Sequence, residues 1–154
     1  ICYLYTILVD LVSISQGDIA TTQKELFEPV GSQADSAFVS AYRKHHDGGF
    51  DIEIEYLGAP AMEGRALVLV DPMLATGASL QAAYDALCET GVPASVHVLA
   101  AIASEEGLAN AQRELPEGTS FILGGVDPDL NEHGYIVPGL GDAGDLAFGP
   151  KTRS

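Results

Sequence analysis

The sequence contains few basic residues, only two cysteines and no tryptophan. Of its 154 residues, 7 are Lys or Arg and 22 are Asp or Glu, so the formal net charge is -15. A surface of this sign repels nucleic-acid phosphates, so we expect no nucleic-acid partner, and any anion site has to be local. Cys2 and Cys88 are too few for a disulfide framework, which indicates a reducing compartment and a cytoplasmic location.

The excess of acidic side chains occurs in a chain that is 47% hydrophobic and therefore able to form a core. Dissolved ions screen the repulsion between like charges, so a strongly acidic surface is tolerated best in a salt-rich cytoplasm. We interpret the chain as halophilic. An ordinary acidic protein is the alternative that composition leaves open.

The chain also lacks an apolar run long enough to span a membrane. Its most apolar stretch, residues 1–9, ends at Asp10 and has no basic flank, so neither a membrane span nor a signal peptide is expected. We expect no membrane partner and interpret this stretch as a buried strand or helix. Because the sequence starts at Ile1 rather than Met, a fragment or a processed product is also possible.

Strand and helix patterns alternate along the rest of the chain. The predicted strands are 37–42, 50–58, 66–71, 94–103 and 119–125. The predicted helices are 80–90 and 104–115, the second with Ser104 as its N-cap. We predict a turn at 43–49 and a loop-rich segment at 126–154. The strand–helix–strand–helix–strand order over 66–123 indicates right-handed βαβ units in a parallel sheet. We predict one α/β domain over 1–154, with ligands beyond the carboxyl ends of the strands.

The segment VLVDPMLATGAS (68–79) carries most of the functional information. A buried strand brings Asp71 to the sheet edge, and a short loop with Thr76, Gly77 and Ser79 then opens a helix. The free N–H groups of such a loop and the helix dipole favour a phosphate monoester, while the carboxylate suits ribose hydroxyls or hydrated Mg²⁺. The loop is neither a Walker A motif nor a GxGxxG turn. An ordinary strand–turn–helix, with Asp71 and Thr76 as turn and capping residues, is the alternative.

Residues 68–79 resemble the 5-phosphoribosyl-1-pyrophosphate (PRPP) motif of type I phosphoribosyltransferases, in the Asp-Pro form found in uracil phosphoribosyltransferase. LNEHGYIVPGLGDAGDLAFG (130–149) resembles the uracil-binding segment of the same family. The resemblance covers 36–154, whereas 1–35 does not match. It implies a type I phosphoribosyltransferase-like fold: a parallel sheet flanked by helices, with a Gly-rich C-terminal hood.

The resemblance also implies an activity, the transfer of a phosphoribosyl group from PRPP to uracil in pyrimidine salvage. The products would be UMP and pyrophosphate, with Mg²⁺ as the cofactor, bound mainly through PRPP and water rather than by a metal site of the protein. A homo-oligomer and a GTP effector belong to the same expectation. The resemblance assigns catalytic roles to Asp71, Asp142 and Arg43, PRPP binding to Arg43, Asp71, Pro72, Met73, Leu74, Ala75, Thr76, Gly77, Ala78, Ser79 and Asp142, and uracil binding to Ile136, Gly141, Asp142 and Ala143.

One expected element of the family is missing from the sequence. An upstream loop reading roughly Leu-Arg-Ala-Gly, which would grip pyrophosphate, has no counterpart in residues 1–35. Losing a charged clamp on a developing anion costs on the order of 2–4 kcal/mol of transition-state stabilisation. Two alternatives to the active enzyme therefore stay open: a non-catalytic protein that binds UMP, PRPP or uracil, and an inactive truncated fragment.

Overall fold

The computed structural model of the chain describes residues 2–9, 35–46 and 49–141. Eleven strands and two helices occur in these ranges. The strands are β1 (Cys2–Val9), β2 (Asp35–His46), β3 (Gly49–Gly58), β4 (Ala66–Val70), β5 (Met73–Leu74), β6 (Ser95–Ala100), β7 (Ile102–Ser104), β8 (Ser120–Leu123), β9 (Val126–Asp127), β10 (Asp129–Leu130) and β11 (Ile136–Val137), and the helices are α1 (Ala78–Cys88) and α2 (Glu105–Glu114).

Three parallel strands, β4, β6 and β8, form one half of a six-stranded sheet with the order β3-β2-β1-β4-β6-β8. The sequence of β4 is entirely apolar, and Leu67, Val68 and Leu69 are buried, as expected for a strand covered on both faces. α1 joins β4 to β6, and α2 lies between β6 and β8, so the predicted βαβ units are present. The predicted α/β fold with a parallel sheet and flanking helices is confirmed.

The first described strand lies inside this sheet rather than at its edge. β1 pairs with β2 on one side and with β4 on the other, and it is antiparallel to both. Thr6 is opposite Val70 and Val9 is opposite Leu67, so β1 runs from the carboxyl end of β4 toward its amino end. The apolar run at the start of the chain is therefore a strand, and its direction makes the sheet mixed. Residues 10–34, which follow it, lie outside the described residues.

β2 and β3 form a long antiparallel arm. The turn predicted over 43–49 is wrong for 43–46, because these residues continue β2 and pair with β3 as far as His46 opposite Gly49. Backbone pairing along the arm outweighs the polar composition that suggested a turn there. The register shifts after Ser40, and a bulge of this kind bends the strand that carries it.

A second, smaller sheet lies just past the carboxyl ends of β4, β6 and β8. Its order is β5-β7-β9, with parallel pairing, and each of its strands follows one of the main strands after a gap of one or two residues. The single strand predicted over 94–103 is therefore wrong. It divides at Ala101 because the chain changes pairing partners there, from the main sheet to the small one. The loop-rich prediction for 126–154 likewise missed β9, β10 and β11.

The two helices agree with the predicted ones to within two residues at each end. α1 covers 78–88 rather than 80–90, and α2 covers 105–114 rather than 104–115. The predicted N-cap is confirmed, because the Ser104 hydroxyl accepts a hydrogen bond of 2.8 Å from the Gly107 N–H. Glu105 and Glu106 lie in the first turn of α2, where the positive end of the helix dipole favours carboxylates.

One hydrophobic core joins the sheet to the helices. Leu67 and Leu69 from β4, Val98 from β6, and Leu80 and Leu87 from α1 all have relative exposures of 1% or less. Burying a side chain of this size stabilises the fold by about 1.5–3 kcal/mol. Neither of the described helices is long and apolar enough to cross a membrane.

Candidate phosphoribosyl and nucleobase site

Asp71 is held in a fixed orientation immediately after β4. Its side chain is buried, with a relative exposure of 5%, and one carboxylate oxygen accepts a hydrogen bond of 3.0 Å from the Met73 N–H. The Asp71 N–H donates to the Leu99 carbonyl at 2.9 Å, which extends the pairing of β4 with β6 by one residue. The carboxylate therefore lies at the carboxyl edge of the parallel strands, where the sequence predicted it.

The chain after Asp71 is attached to the small sheet before it reaches the loop. Met73 pairs with Ile102, and Leu74 pairs with Ala103 in the adjacent strand. Leu74 is fully buried, with an exposure of 0%. This attachment fixes the start of residues 75–79, which we call the phosphate loop.

Side chains at the N-cap and in the second turn of α2 hold the carbonyl groups of Ala75 and Thr76 in the phosphate loop. The Ser104 hydroxyl donates to the Ala75 carbonyl at 2.5 Å, and the Asn110 amide donates to the Thr76 carbonyl at 3.1 Å. In a planar trans peptide the C=O and the following N–H point in opposite directions. The N–H groups of Thr76 and Gly77 therefore point away from α2, which leaves two neighbouring donors on one side of the loop.

Two glycines allow the phosphate loop and α2 to approach this closely. Gly77 has a φ of 79°, and a Cβ placed on it would lie 3.0 Å from the Gly107 carbonyl oxygen. A Cβ placed on Gly107 would overlap the Ala75 carbonyl oxygen. Gly77 therefore needs both its left-handed backbone conformation and the missing side chain, whereas Gly107 needs only the missing side chain.

The phosphate loop leads directly into the N-terminus of α1. The Gln81 N–H donates to the Gly77 carbonyl at 3.0 Å, so the N–H groups of Ala78, Ser79 and Leu80 precede the first intrahelical donor and have no acceptor within the helix. The Ala78 N–H has a long contact of 3.4 Å with the Thr76 hydroxyl oxygen. No acidic residue lies in the first turn, so the positive end of the helix dipole is not offset there. This is the arrangement that favours a bound phosphate.

The predicted nucleobase segment begins with a small hairpin. β10 and β11 pair antiparallel, and the Asn131 carboxamide oxygen accepts hydrogen bonds from the His133 N–H at 2.9 Å and the Tyr135 N–H at 3.0 Å. These bonds close the loop of the hairpin and place Ile136, which is 2% exposed, against the body of the protein.

Residues 137–141 form a mostly exposed turn after Ile136, which we call the nucleobase turn. Gly139 and Gly141 have φ values of 55° and 74°, which L side chains rarely adopt. The Gly139 N–H donates to a carboxylate oxygen of Asp127 at 2.8 Å. Gly141 is the last described residue, so Asp142 and Ala143, two of the predicted site residues, lie outside the described residues.

Arg43 lies on the same edge as Asp71 but far along the β2–β3 arm. Phe38 and Val70 are both paired with Thr6, so they stand at the same level in the sheet. Arg43 is five residues beyond Phe38 in β2, or about 16 Å farther along the strand at 3.3 Å per residue. Its predicted contact with pyrophosphate therefore stays a prediction, and it requires a ligand that extends toward the arm.

The sequence prediction missed the residues that contact the backbone of the phosphate loop and the nucleobase turn and so hold them in place. Ser104 was identified only as a helix cap, and Asn110, Gly107 and Asp127 were not singled out. A glycine inside a helical pattern signals a close approach, so Gly107 could have been found from the sequence. Ser104, Asn110 and Asp127 contact partners far away in the chain. No local pattern in the sequence signals these contacts.

No group of three or more His, Cys, Asp or Glu side chains that could hold a metal ion occurs among residues 2–9, 35–46 and 49–141. The carboxylate of Asp71 is one hard oxygen donor, the kind that Mg²⁺ accepts together with water and substrate phosphates. The residues present thus fit an ion that enters with a phosphorylated ligand and keeps most of its own water.

Comparisons with known proteins identify a matching family, related sequences and a related solved structure. A family model described as uracil phosphoribosyltransferase matches residues 33–150. A uracil phosphoribosyltransferase of Porphyromonas gingivalis is 48% identical over 118 residues, and one of Methanothermobacter thermautotrophicus is 38% identical over 139 residues. The solved structure of the AQ2163 protein from Aquifex aeolicus superposes with a TM-score of 0.61 at 35% identity.

The matches cover most of this chain but a smaller part of each relative. The aligned regions are 76% of this chain and 55% of the Porphyromonas protein, and 90% of this chain and 62% of the Methanothermobacter protein. The structural match covers 71% of this chain and 51% of the Aquifex chain. The chain thus spans about half the length of the first of these relatives.

Proposed function

Because this chain belongs to the uracil phosphoribosyltransferase family, we propose that it transfers the phosphoribosyl group of PRPP to N1 of uracil, with UMP and pyrophosphate as products. The observation that carries the proposal is the arrangement around the phosphate loop. Asp71 is buried at the strand end before it, the N–H groups of Thr76 and Gly77 are turned away from α2, and the N-terminus of α1 follows directly. This combination suits a sugar phosphate better than a free anion, because a carboxylate lies beside the donors.

In this proposal the phosphate loop binds the 5'-phosphate of PRPP. The N–H groups of Thr76 and Gly77, together with those of the first turn of α1, would donate to its oxygens. Asp71 would accept hydrogen bonds from the ribose hydroxyls, and its orientation is set in advance by the Met73 N–H. Because these donors and acceptors are held by backbone pairing, little conformational entropy would be lost on binding.

The chemical step makes positive charge on the ribose ring as pyrophosphate leaves. A protein accelerates such a step by holding the two reactants in line and by stabilising charge. Mg²⁺ bound through PRPP and water would offset the charge of the departing pyrophosphate. Arg43 would approach the same group from the β2–β3 arm, and Asp142 would lie close to PRPP, as the family resemblance implies.

The nucleobase turn would read uracil through backbone groups. Uracil has a donor at N3 and acceptors at O2 and O4, a pattern that the N–H and C=O groups of Ile136, Gly141, Asp142 and Ala143 can match. Cytosine has an acceptor at N3 and a donor at C4, so it would leave buried polar groups unpaired. Mismatches of this kind support strong discrimination between substrates.

The test of the proposal is UMP formation from uracil, PRPP and Mg²⁺ in concentrated KCl. The Asp142→Ala variant should lose activity, whereas Asp129→Ala, an exposed acidic residue on β10, should retain it. Equal turnover by the wild type and Asp142→Ala would contradict the assignment of Asp142. Absence of turnover by the wild type would contradict the enzymatic proposal.

The second candidate is a non-catalytic protein that binds UMP, PRPP or uracil, and the direction of β1 is the observation that bears on it. The carboxyl end of β1 lies at the amino end of β4, with Val9 opposite Leu67, so β1 ends on the side of the sheet away from Asp71. β1 therefore does not place a pyrophosphate loop at the site in the way that a parallel strand would.

The basic residues of the described ranges give the same indication. Arg65 pairs with Asp35 at 2.8 Å before β4 begins, and Arg113 pairs with Glu114 at 2.7 Å at the end of α2. Arg43 and Lys44 on the distal arm are the remaining two within residues 2–9, 35–46 and 49–141. Calorimetric binding of UMP without any turnover would support the second candidate, and turnover would exclude it.

The remaining parts of the proposal concern the salt content of the cytoplasm, the oligomeric state and the regulation of the enzyme. The net charge of -15 supports a cytoplasm rich in salt, where ions screen the repulsion among surface carboxylates. A homo-oligomer and a GTP effector follow from the family resemblance alone. Both are tested directly, by the sedimentation of the purified chain and by the rate of UMP formation with and without GTP.

A further inference from the structure

Asp127 is the last residue of β9 and connects this strand to the nucleobase turn. One of its carboxylate oxygens accepts a hydrogen bond of 2.8 Å from the Gly139 N–H, across 12 residues of chain. Gly139 stands between Ile136 and Gly141, two of the residues assigned to uracil. A charged acceptor makes this one of the stronger classes of hydrogen bond in the site.

The nucleobase turn has little other support within the described residues. Ile136 is buried, but Val137 is 39% exposed and Leu140 is 57% exposed, so apolar packing does not fix the path of the turn beyond Ile136. Gly139 also approaches the Ile136 carbonyl oxygen so closely that a Cβ would overlap it. The position of this tight turn therefore depends on the hydrogen bond that the Gly139 N–H donates to Asp127.

Asp127 is the register partner of Ser104 in the small sheet. Ser104 is fully buried, and its hydroxyl donates to the Ala75 carbonyl of the phosphate loop. Paired strands lie about 4.8 Å apart. Two neighbouring residues thus hold the two halves of the site, one the phosphate loop and the other the nucleobase turn.

We propose that Ser104 and Asp127 form a brace that sets the separation between the sugar-phosphate and nucleobase halves of the site. Both are positioning residues, because each acts on a backbone group of a loop rather than on the ligand. The proposal rests on the proposed function for the identity of the two ligands. It adds that Asp127 controls uracil and UMP affinity, and that Ser104 controls affinity for the phosphorylated sugar.

The first experiment compares Asp127→Ala with Asp127→Asn, which keeps an oxygen acceptor, and with Asp129→Ala as a matched acidic control. UMP, which would occupy both halves, and ribose 5-phosphate, which would occupy the phosphate loop alone, are titrated calorimetrically. Asp127→Ala should weaken UMP binding by at least about tenfold, the lower end of the loss expected for one charge-assisted hydrogen bond. Ribose 5-phosphate should bind as to the wild type, and Asp127→Asn should restore most of the UMP affinity.

Ser104→Ala should weaken the binding of both ligands, because both occupy the phosphate loop. The loss of ribose 5-phosphate affinity should be at least as large as the loss of UMP affinity. In turnover, Asp127→Ala should raise KM for uracil more than it lowers kcat and leave KM for PRPP unchanged. An Asp127→Ala variant with wild-type UMP affinity overturns the brace. Equal losses of UMP and ribose 5-phosphate affinity in Asp127→Ala overturn it too, since they indicate a general structural defect.

Hydrogen exchange of the Gly139 amide tests the brace without any ligand. The exchange rate should rise at least about tenfold in Asp127→Ala, while the Gly134 amide, which donates to the Asn131 carbonyl, should keep its rate. Unchanged exchange at Gly139 overturns the brace. A wild type that binds neither ligand overturns the proposed function instead, and this amide measurement then decides the brace alone.

Discussion

The Gly107→Ala substitution tests whether α2 sets the position of the phosphate loop. A methyl group on Gly107 would overlap the Ala75 carbonyl oxygen and lie 2.8 Å from the Leu74 carbonyl oxygen. Both atoms belong to the backbone, so neither can rotate away, and the helix or the loop has to move. Overpacking of this kind costs about 1–3 kcal/mol of folding free energy.

Helix propensity acts in the opposite direction. Alanine is more favourable than glycine by about 1 kcal/mol inside a helix, so Gly107→Ala would stabilise α2 if nothing stood next to it. Because two carbonyl groups are in the way, we take the upper part of the steric range and expect a net loss of about 1–2 kcal/mol. For a chain of this size such a loss lowers Tm by roughly 2–8 °C.

Denaturant unfolding of Gly107→Ala and Ala109→Gly measures both effects in the same helix. Ala109 is exposed, so Ala109→Gly reports the propensity difference alone, expected to be about 1 kcal/mol. Gly107→Ala should also weaken ribose 5-phosphate binding, because the loop is displaced. If Gly107→Ala stabilises the protein by the amount that Ala109→Gly costs, the close contact between α2 and Ala75 does not exist.

Three further predictions follow from local geometry and charge. Gly77→Ala should lower stability by about 1–2 kcal/mol and weaken phosphate binding, because its φ of 79° is left-handed; unchanged denaturant unfolding would contradict this. Burial and a hydrogen bond with Cys88 raise the pKa of Tyr84 to about 12. The unfolded chain therefore releases this proton first, and stability should fall between about pH 10 and pH 12, less so in Tyr84→Phe. Molar KCl should raise Tm, since the net charge is -15; a constant Tm would refute the halophilic interpretation.

Sequence patterns predicted the parts of the fold that depend on local chemistry. The apolar sequence of β4 predicts a buried central strand. The loop from Asp71 to Ser79 contains both the polar groups and the glycine that a strand–loop–helix phosphate site needs. Ser104 as the cap of α2 could be predicted for the same reason. In each case a few neighbouring residues determine the structure.

The parts that could not be predicted depend on pairing between distant segments. Nothing in the apolar stretch 94–103 marks Ala101 as the point where the chain leaves the main sheet for the small one. Two-residue strands such as β5 and β9 are too short to show periodicity. Asp127 and Asn110 are ordinary polar residues in sequence, and only their partners, Gly139 and the Thr76 carbonyl, give them a role.

The direction of a strand decides what it contributes to a site at one edge of a sheet. The apolar composition of residues 1–9 predicts that they pair with neighbours, but it does not predict in which direction. Because β1 is antiparallel to β4, its first residue rather than its last lies toward the site edge. Asp71 and the phosphate loop thus follow the parallel strand β4, and the nucleobase turn follows the β10–β11 hairpin. Among the described residues, those of the β2–β3 arm include Arg43 and Lys44, the basic residues that we expect to serve the proposed pyrophosphate end. Under the proposed function, we therefore expect UMP binding to require less of this chain than PRPP turnover does.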